Sequence, residues 1–120
     1  MSDEKKFELN LDKSKKILYA KASGIFGPND ANAFVTEYML CIKGINAKEY
    51  TYIFDCKELK VSGKDMKSGV DMTQLLRSCV EQYKKDAFKE VIIDCGTNHI
   101  VKMQTTRIAR EVGLLNFKTI

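Results

Sequence analysis

Histidine and paired cysteines are scarce in this sequence, which excludes the commonest protein metal sites. The 120-residue chain has one histidine, His99, and its four cysteines (Cys41, Cys56, Cys79 and Cys95) lie far apart without any Cys-x-x-Cys pair. Structural zinc sites need four such ligands in a cluster, so we expect no metal, and no other cofactor is indicated. Scattered cysteines usually behave as small buried hydrophobic residues, which favours reduced thiols in a cytoplasmic protein.

Long apolar segments and a strong charge imbalance are also missing. No run approaches the roughly 20 apolar residues of a membrane span, and the start, MSDEKKFELN, has no apolar signal region. We therefore expect neither a membrane span nor an export signal. The net charge is only +4, and the lysines near the start are interleaved with acidic residues. This pattern predicts a solvated charged surface rather than a nucleic-acid interface.

What the sequence does contain is an alternation of strand and helix patterns, which we interpret as one domain over residues 1–120. Strand patterns occur at 7–22 (as a hairpin), 50–54, 91–93 and 116–120. Helix patterns occur at 31–42, from between Asp65 and Asp71 to Tyr83, and from the turn at 94–98 to Val112. The order predicts an α/β fold: a mixed, mostly parallel sheet of about five strands, entered by an antiparallel hairpin, with about three helices. The pattern leaves open whether the helices cover one face of the sheet or both.

Helix signals refine these boundaries. The inward stripe of the first helix is expected to contain Ala31, Phe34, Val35, Tyr38, Met39 and Ile42. Caps are expected at Asn29 or Asp30 before the first helix, and at Thr97 or Asn98 before the third. Gly44 and Gly113 are expected to end those helices in the left-handed conformation.

Several local stretches, together with the order of elements, resemble the STAS domain of bacterial anti-sigma factor antagonists. They are Ser23–Gly27, in a turn before the first helix, Tyr52–Asp55 and Val91–Asp94, in strands ending in Asp, and the run Arg110–Leu114. The resemblance spans nearly the whole chain. It implies a non-catalytic protein–protein interaction module of the bacterial cytoplasm, with a partner-switching role and a kinase-like anti-sigma regulator as its partner.

The resemblance also indicates a site. In regulatory STAS members, an Asp-Ser-Ser/Thr-Gly motif at the start of a helix holds the phosphorylatable hydroxyl, where added charge alters a protein interface. Here the corresponding stretch has Ser-Gly without the preceding Asp and the second hydroxyl, and a second Ser-Gly pair follows. The partner-binding loop or phosphosite implied in this way consists of Ser62, Gly63, Lys64, Asp65, Ser68 and Gly69.

Two other functions fit the same fold class. A structural or adaptor subunit of a larger, phage-like or contractile assembly would need no switching chemistry. It would join its neighbours, or a second copy in a homo-oligomer, through an unpaired edge strand. A small-ligand or lipid carrier would need an apolar pocket, which no feature of the sequence marks. Apolar residues in predicted loops are candidates for a partner surface: Ile25, Phe26, Ile45 and Val61.

Enzyme-like features are few, and we expect no enzyme. Asp55 and Asp94 end neighbouring predicted strands, where they could act in acid–base chemistry or hold a cation. We expect each to cap a turn or helix amide instead. Cys95 begins a stretch like a phosphatase loop, but position 101 holds Val where such a loop needs Arg. His99 is expected to be a surface residue at a helix start rather than a base acting on Cys95.

Overall fold

The computed structural model describes residues 7–25, 28–60, 72–114 and 116–120. The strands are β1 (Phe7–Asp12), β2 (Ile17–Ile25), β3 (Thr51–Lys60), β4 (Glu90–Asp94) and β5 (Phe117–Thr119). The helices are α1 (Pro28–Lys43), α2 (Met72–Asp86) and α3 (His99–Val112), with a short 3-10 helix, Ala47–Glu49, before β3. Within these ranges the chain forms three α-helices and one five-stranded mixed sheet, which confirms the predicted α/β class.

The sheet has the strand order β1-β2-β3-β4-β5. β1 pairs antiparallel with β2, and the other neighbours pair parallel, which confirms the antiparallel hairpin at the entrance. Because the strands follow in sequence across the sheet, right-handed crossovers place α1, α2 and α3 on the same face. Ring contacts agree: Tyr38 of α1 and Tyr83 of α2 both pack on Tyr52 of β3. The helices therefore cover one face of the sheet, which answers the question that the sequence pattern left open.

The core between the helices and the sheet is rich in tyrosine. Tyr38, Tyr52 and Tyr83 are each at most 2% exposed. Their hydroxyl groups are hydrogen-bonded, as buried polar groups must be: Tyr52 donates to Tyr83 at 2.8 Å, and Tyr38 donates to Asp86. The core therefore fixes the orientation of its aromatic side chains as well as burying them.

β2 and β3 extend further than the sequence pattern predicted. Ser23–Ile25, assigned to a turn, continues β2 and pairs with Glu58–Lys60 of β3. The register shifts between Lys21 and Ser23, and Gly24 adopts a φ of 72° there. This irregularity lets the glycine-containing stretch stay in the sheet. The strand pattern at 50–54 therefore stopped short of the last residues of β3, which ends at Lys60.

Two predicted boundaries of α1 were wrong. The helix begins at Pro28, a residue favoured in the first helical position because it lacks an N–H. Asn29 and Asp30 therefore lie in the first turn rather than before it. Gly44 does not adopt a left-handed conformation. Gly113 does, with a φ of 85°, as expected.

The apolar stripe of α1 is narrower than predicted. Phe34 and Tyr38 are buried, but Val35 is 38% exposed and Met39 43%. The helix lies near the β1 side of the sheet, where it contacts β1 and α2. Only one narrow face of α1 therefore packs against other elements. The predicted start of α2, between residues 65 and 71, lies outside the described residues. None of the described helices has the length and apolar character needed to cross a membrane.

Candidate functional site

The predicted partner-binding loop cannot be placed directly. Ser62, Gly63, Lys64, Asp65, Ser68 and Gly69 all lie outside the described residues, but both flanks of their segment are described. β3 ends at Lys60, and α2 is described from Met72. The segment therefore leaves the sheet at the carboxyl end of β3, the edge where ligands usually bind in open α/β sheets. We call this the carboxyl edge: residues 55–60 of β3, which begin where its pairing with β4 ends, the end of β4, and the first turns of α3.

Two carboxylates and one lysine occupy the carboxyl edge. Asp55 of β3 and Asp94 of β4 are partners in the parallel register, which confirms that they face each other. Lys57 lies between them, with its Nζ 3.3 Å from Asp55 Oδ2 and 3.1 Å from Asp94 Oδ2. Tyr19 of β2 donates its hydroxyl to Asp55 Oδ2 at 3.2 Å. The result is one ion-paired cluster across three strands.

Both carboxylates also accept a backbone amide. Asp94 caps an amide of the turn after β4, as predicted, whereas the amide bonded to Asp55 lies within β3 rather than in a turn or helix. Asp55 Oδ1 accepts from the Lys57 amide at 3.1 Å, and Asp94 Oδ1 accepts from the Gly96 amide at 3.2 Å. Burial alone would raise the pKa of Asp55, but the Lys57 amide and ammonium, with the Tyr19 hydroxyl, hold its pKa below the ordinary value. Hydrogen bonds to Asp94 and Asp55 in turn raise the pKa of Lys57. Asp55 and Lys57 therefore stay ionised near neutral pH, whereas a general acid or base works best with a pKa near the operating pH.

Asn98 ties α3 to the end of β3. Its Oδ1 accepts from the Val101 amide at 3.4 Å, which confirms the predicted cap. Its Nδ2 donates to the carbonyl of Leu59 at 2.9 Å and to that of Lys57 at 3.3 Å. This second role was not predicted, because residues 57–60 were not assigned to a strand. Asn98 thus fixes where the chain leaves the sheet toward residues 61–71.

Gly96 is required in the turn between β4 and α3. Its φ is 55°, and a Cβ at this position would lie 2.8 Å from Cδ of Lys57. A larger residue would combine a strained backbone with displacement of the lysine side chain. The close approach of the turn therefore helps to keep Lys57 on the two carboxylates.

Of the four apolar residues predicted to be exposed in loops, the structure describes the side chain of Ile45 alone. Ile45 packs partly buried against the core. Phe26, Val61 and the side chain of Ile25 lie outside the description. Among the side chains that the structure describes, the large apolar ones that are exposed are Val35, Met39 and Leu40 on α1, Ile100 and Met103 on α3, and Ile120. Of the two helical groups, the one on α3 lies in its first turns, at the carboxyl edge.

His99 lies at the surface, whereas Cys95 lies in the core. His99 is the first residue of α3 and is exposed, as expected for a surface residue. Cys95 is fully buried, with its sulfur 3.5 Å from that of Cys56 and 3.8 Å from the Thr105 hydroxyl. Across the ranges given above, no three His, Cys, Asp or Glu side chains come close enough to hold a metal ion.

Comparison with known proteins supports the fold. No protein-family model matches the chain, and no curated protein matches it. Among solved structures, the chain is similar to an uncharacterized protein from the DUF3478 family of Shewanella loihica, which has a SpoIIAA-like fold. The TM-score is 0.64 at 20% sequence identity, and the alignment covers 100% of this chain and 90% of that one. The chain therefore has the SpoIIAA-like fold of the anti-sigma factor antagonists, which confirms the predicted resemblance to STAS domains.

Proposed function

We propose that this chain is a non-catalytic protein–protein interaction module of the bacterial cytoplasm, acting as a partner-switching regulator. The observation that carries the proposal is a pair of exposed apolar side chains at the carboxyl edge. Ile100 is 69% exposed and Met103 73%. A contiguous exposed apolar patch marks a protein-binding surface, and Ile100 and Met103 are neighbours on one face of α3, three residues apart. Met is enriched in such interfaces. We infer that these two residues form the centre of the partner surface.

Basic residues surround this centre. Lys102, Arg107 and Arg110 lie on the same open face of α3 as Ile100 and Met103. The acidic residue of this face, Glu111, forms ion pairs with Arg77 and Arg107. An apolar centre with a basic rim favours a partner whose surface is apolar in the middle and acidic around it.

The chemistry of the edge supports binding rather than catalysis. Asp55 and Asp94 share one lysine, and each also accepts a backbone amide. Through these contacts the two carboxylates hold the strands and the following turn in place. Together with the lowered pKa of Asp55, this argues for a structural role in supporting the edge.

The switch is proposed to lie between Lys60 and Met72. This segment begins after Lys60, and the carbonyl of the residue before Lys60, Leu59, is bonded to Asn98 at the start of α3. A phosphate on Ser62 or Ser68 would add up to two negative charges to a segment that starts beside the basic rim. Charge neutralisation of that rim would weaken its attraction for an acidic partner.

Affinity capture from the native host tests the switch. We expect Ser62→Ala and Ser68→Ala to capture the same protein as the unmodified chain. At whichever of these two serines is the switch, replacement by Asp should reduce the amount of captured partner by at least about tenfold, because it introduces an unfavourable charge contact in the interface. As a control, Asn10→Asp adds the same charge at an exposed position of β1 and should leave the amount of captured partner unchanged.

Two results would overturn this proposal. One is capture that is insensitive to aspartate at both serines. The other is the recovery of structural proteins of one particle in place of a kinase-like regulator, which would favour the assembly alternative.

A further inference from the structure

Two thiols meet at the carboxyl edge, one residue beyond the register pair Asp55 and Asp94. The sulfur atoms of Cys56 and Cys95 are 3.5 Å apart, and both residues are free cysteines with 0% exposure. Neighbouring strands lie about 4.8 Å apart, which is within the roughly 4.4–6.8 Å between Cα atoms that disulfides span. Forming a bond of about 2.05 Å would therefore require mainly movement of the side chains.

The surroundings make the two sulfurs chemically unequal. A hydrogen bond from the Cys56 thiol lowers the pKa of Cys95 in spite of burial, and the Thr105 hydroxyl and the Lys102 charge act in the same direction. The same contact and burial raise the pKa of Cys56. Because the thiolate is the nucleophile, Cys95 is the sulfur that reacts first. Its side chain is buried, and the two residues that follow it, Gly96 and Thr97, are exposed.

We propose that Cys56 and Cys95 are a redox modification site that hydroperoxides oxidise to a reversible intrachain disulfide. The Cys95 thiolate attacks the peroxide oxygen, the O–O bond breaks, and a sulfenic acid forms on Cys95 as hydroxide or alkoxide leaves. The Cys56 sulfur then attacks the sulfenic sulfur, and water leaves as the S–S bond forms. Two thiols are oxidised and one hydroperoxide is reduced. A small dithiol reverses the bond by thiol–disulfide exchange.

The other two cysteines provide a contrast within the same chain. Burial raises the pKa of Cys79 to about 11, and burial together with the charge of Glu37 raises that of Cys41. Both lie on helices, Cys41 on α1 and Cys79 on α2. They should therefore remain thiols while the pair at the carboxyl edge is oxidised. This inference is independent of the proposed function, since it requires no partner.

Treatment of the folded protein with hydrogen peroxide tests the inference. We expect the intact mass to fall by two hydrogen atoms, two of the four thiols to be lost, and peptide mapping to join Cys56 to Cys95. Dithiothreitol should restore all four thiols. Cys56→Ser should stop the reaction at the sulfenic acid, which dimedone traps on Cys95. Cys41→Ser should oxidise as the unmodified chain does.

Three results would overturn the inference. They are the persistence of all four thiols under peroxide until the protein unfolds, a disulfide bond that involves Cys41 or Cys79, and disulfide-linked dimers as the main product. The mapping uses the unmodified chain, so the outcome does not depend on whether a serine variant folds.

Discussion

Replacing Met103 with glutamate is expected to weaken partner binding by about 30-fold, the effect of losing one interface hot spot worth roughly 2 kcal/mol. The side chain is 73% exposed, so the substitution removes apolar contact area without opening the core. It also places a negative charge on the basic face of α3, which we expect to meet an acidic rim. The dissociation constant of the captured partner, measured by calorimetry, gives the result.

Leu40→Glu is the matched control for this experiment. Leu40 is 66% exposed on α1 and receives the same change in charge and polarity. We expect both variants to keep the unfolding midpoint of the unmodified chain and only the Met103 variant to lose affinity. The reverse pattern, with binding lost on α1 and kept on α3, would move the partner surface to the exposed face of α1.

Replacing Asn98 with alanine is expected to lower the free energy of unfolding by about 2.5–4 kcal/mol. The loss combines a helix cap, worth about 0.5–2 kcal/mol, with two hydrogen bonds to the carbonyls of Lys57 and Leu59, at about 1 kcal/mol each. Urea denaturation followed by circular dichroism measures it. The same variant should also weaken partner binding, because it releases the end of β3 from α3.

Asn98→Asp separates the two roles of this residue. Aspartate keeps an oxygen for the Val101 amide and places negative charge at the start of α3, where it is favourable. It cannot donate to the two β3 carbonyls. We expect Asn98→Asp to lower the free energy of unfolding by about 1–2 kcal/mol, which is less than the effect of Asn98→Ala. Equal stability of Asn98→Asp and the unmodified chain would show that the bonds to β3 contribute nothing.

The fold class was predictable because it depends on short-range patterns. Alternation with period two gave the hairpin, and spacings of three and four gave the helices. The cap at Asn98 and the left-handed Gly113 were predicted from local residue preferences, and both are confirmed. The ends of β2 and β3 were not predictable in this way. Ser23–Ile25 is held in the sheet by pairing with residues 58–60, a contact between distant segments that leaves no local pattern.

The site was harder to predict than the fold. The bridge made by Lys57 depends on the register of β3 with β4, which a single sequence does not reveal. One signal is present in the sequence: the patterns of the third and fourth strands are each followed by Asp-Cys, at 55–56 and at 94–95. In the structure these residues are spatial neighbours, Asp55 with Asp94 and Cys56 with Cys95. Equal positions at the ends of adjacent parallel strands meet at one edge, so such an echo indicates a shared site.

The proposed loop follows from the resemblance to STAS domains, whereas the apolar centre on α3 emerged only from the structure. Ile100 and Met103 belong to a helix whose inward stripe was assigned from other residues, and a helical pattern does not distinguish exposed apolar residues that bind a partner from those that do not. Their significance comes from their position beside the end of β3, which Asn98 fixes.

Amide hydrogen exchange of the chain, alone and with its captured partner, tests most directly whether the carboxyl edge is the partner surface. We expect exchange to slow in residues 61–71 and 99–103 when the partner binds, with α1 and β1 unchanged. Slower exchange confined to α1 or to the β1 edge, with residues 61–71 and 99–103 unaffected, would contradict the account.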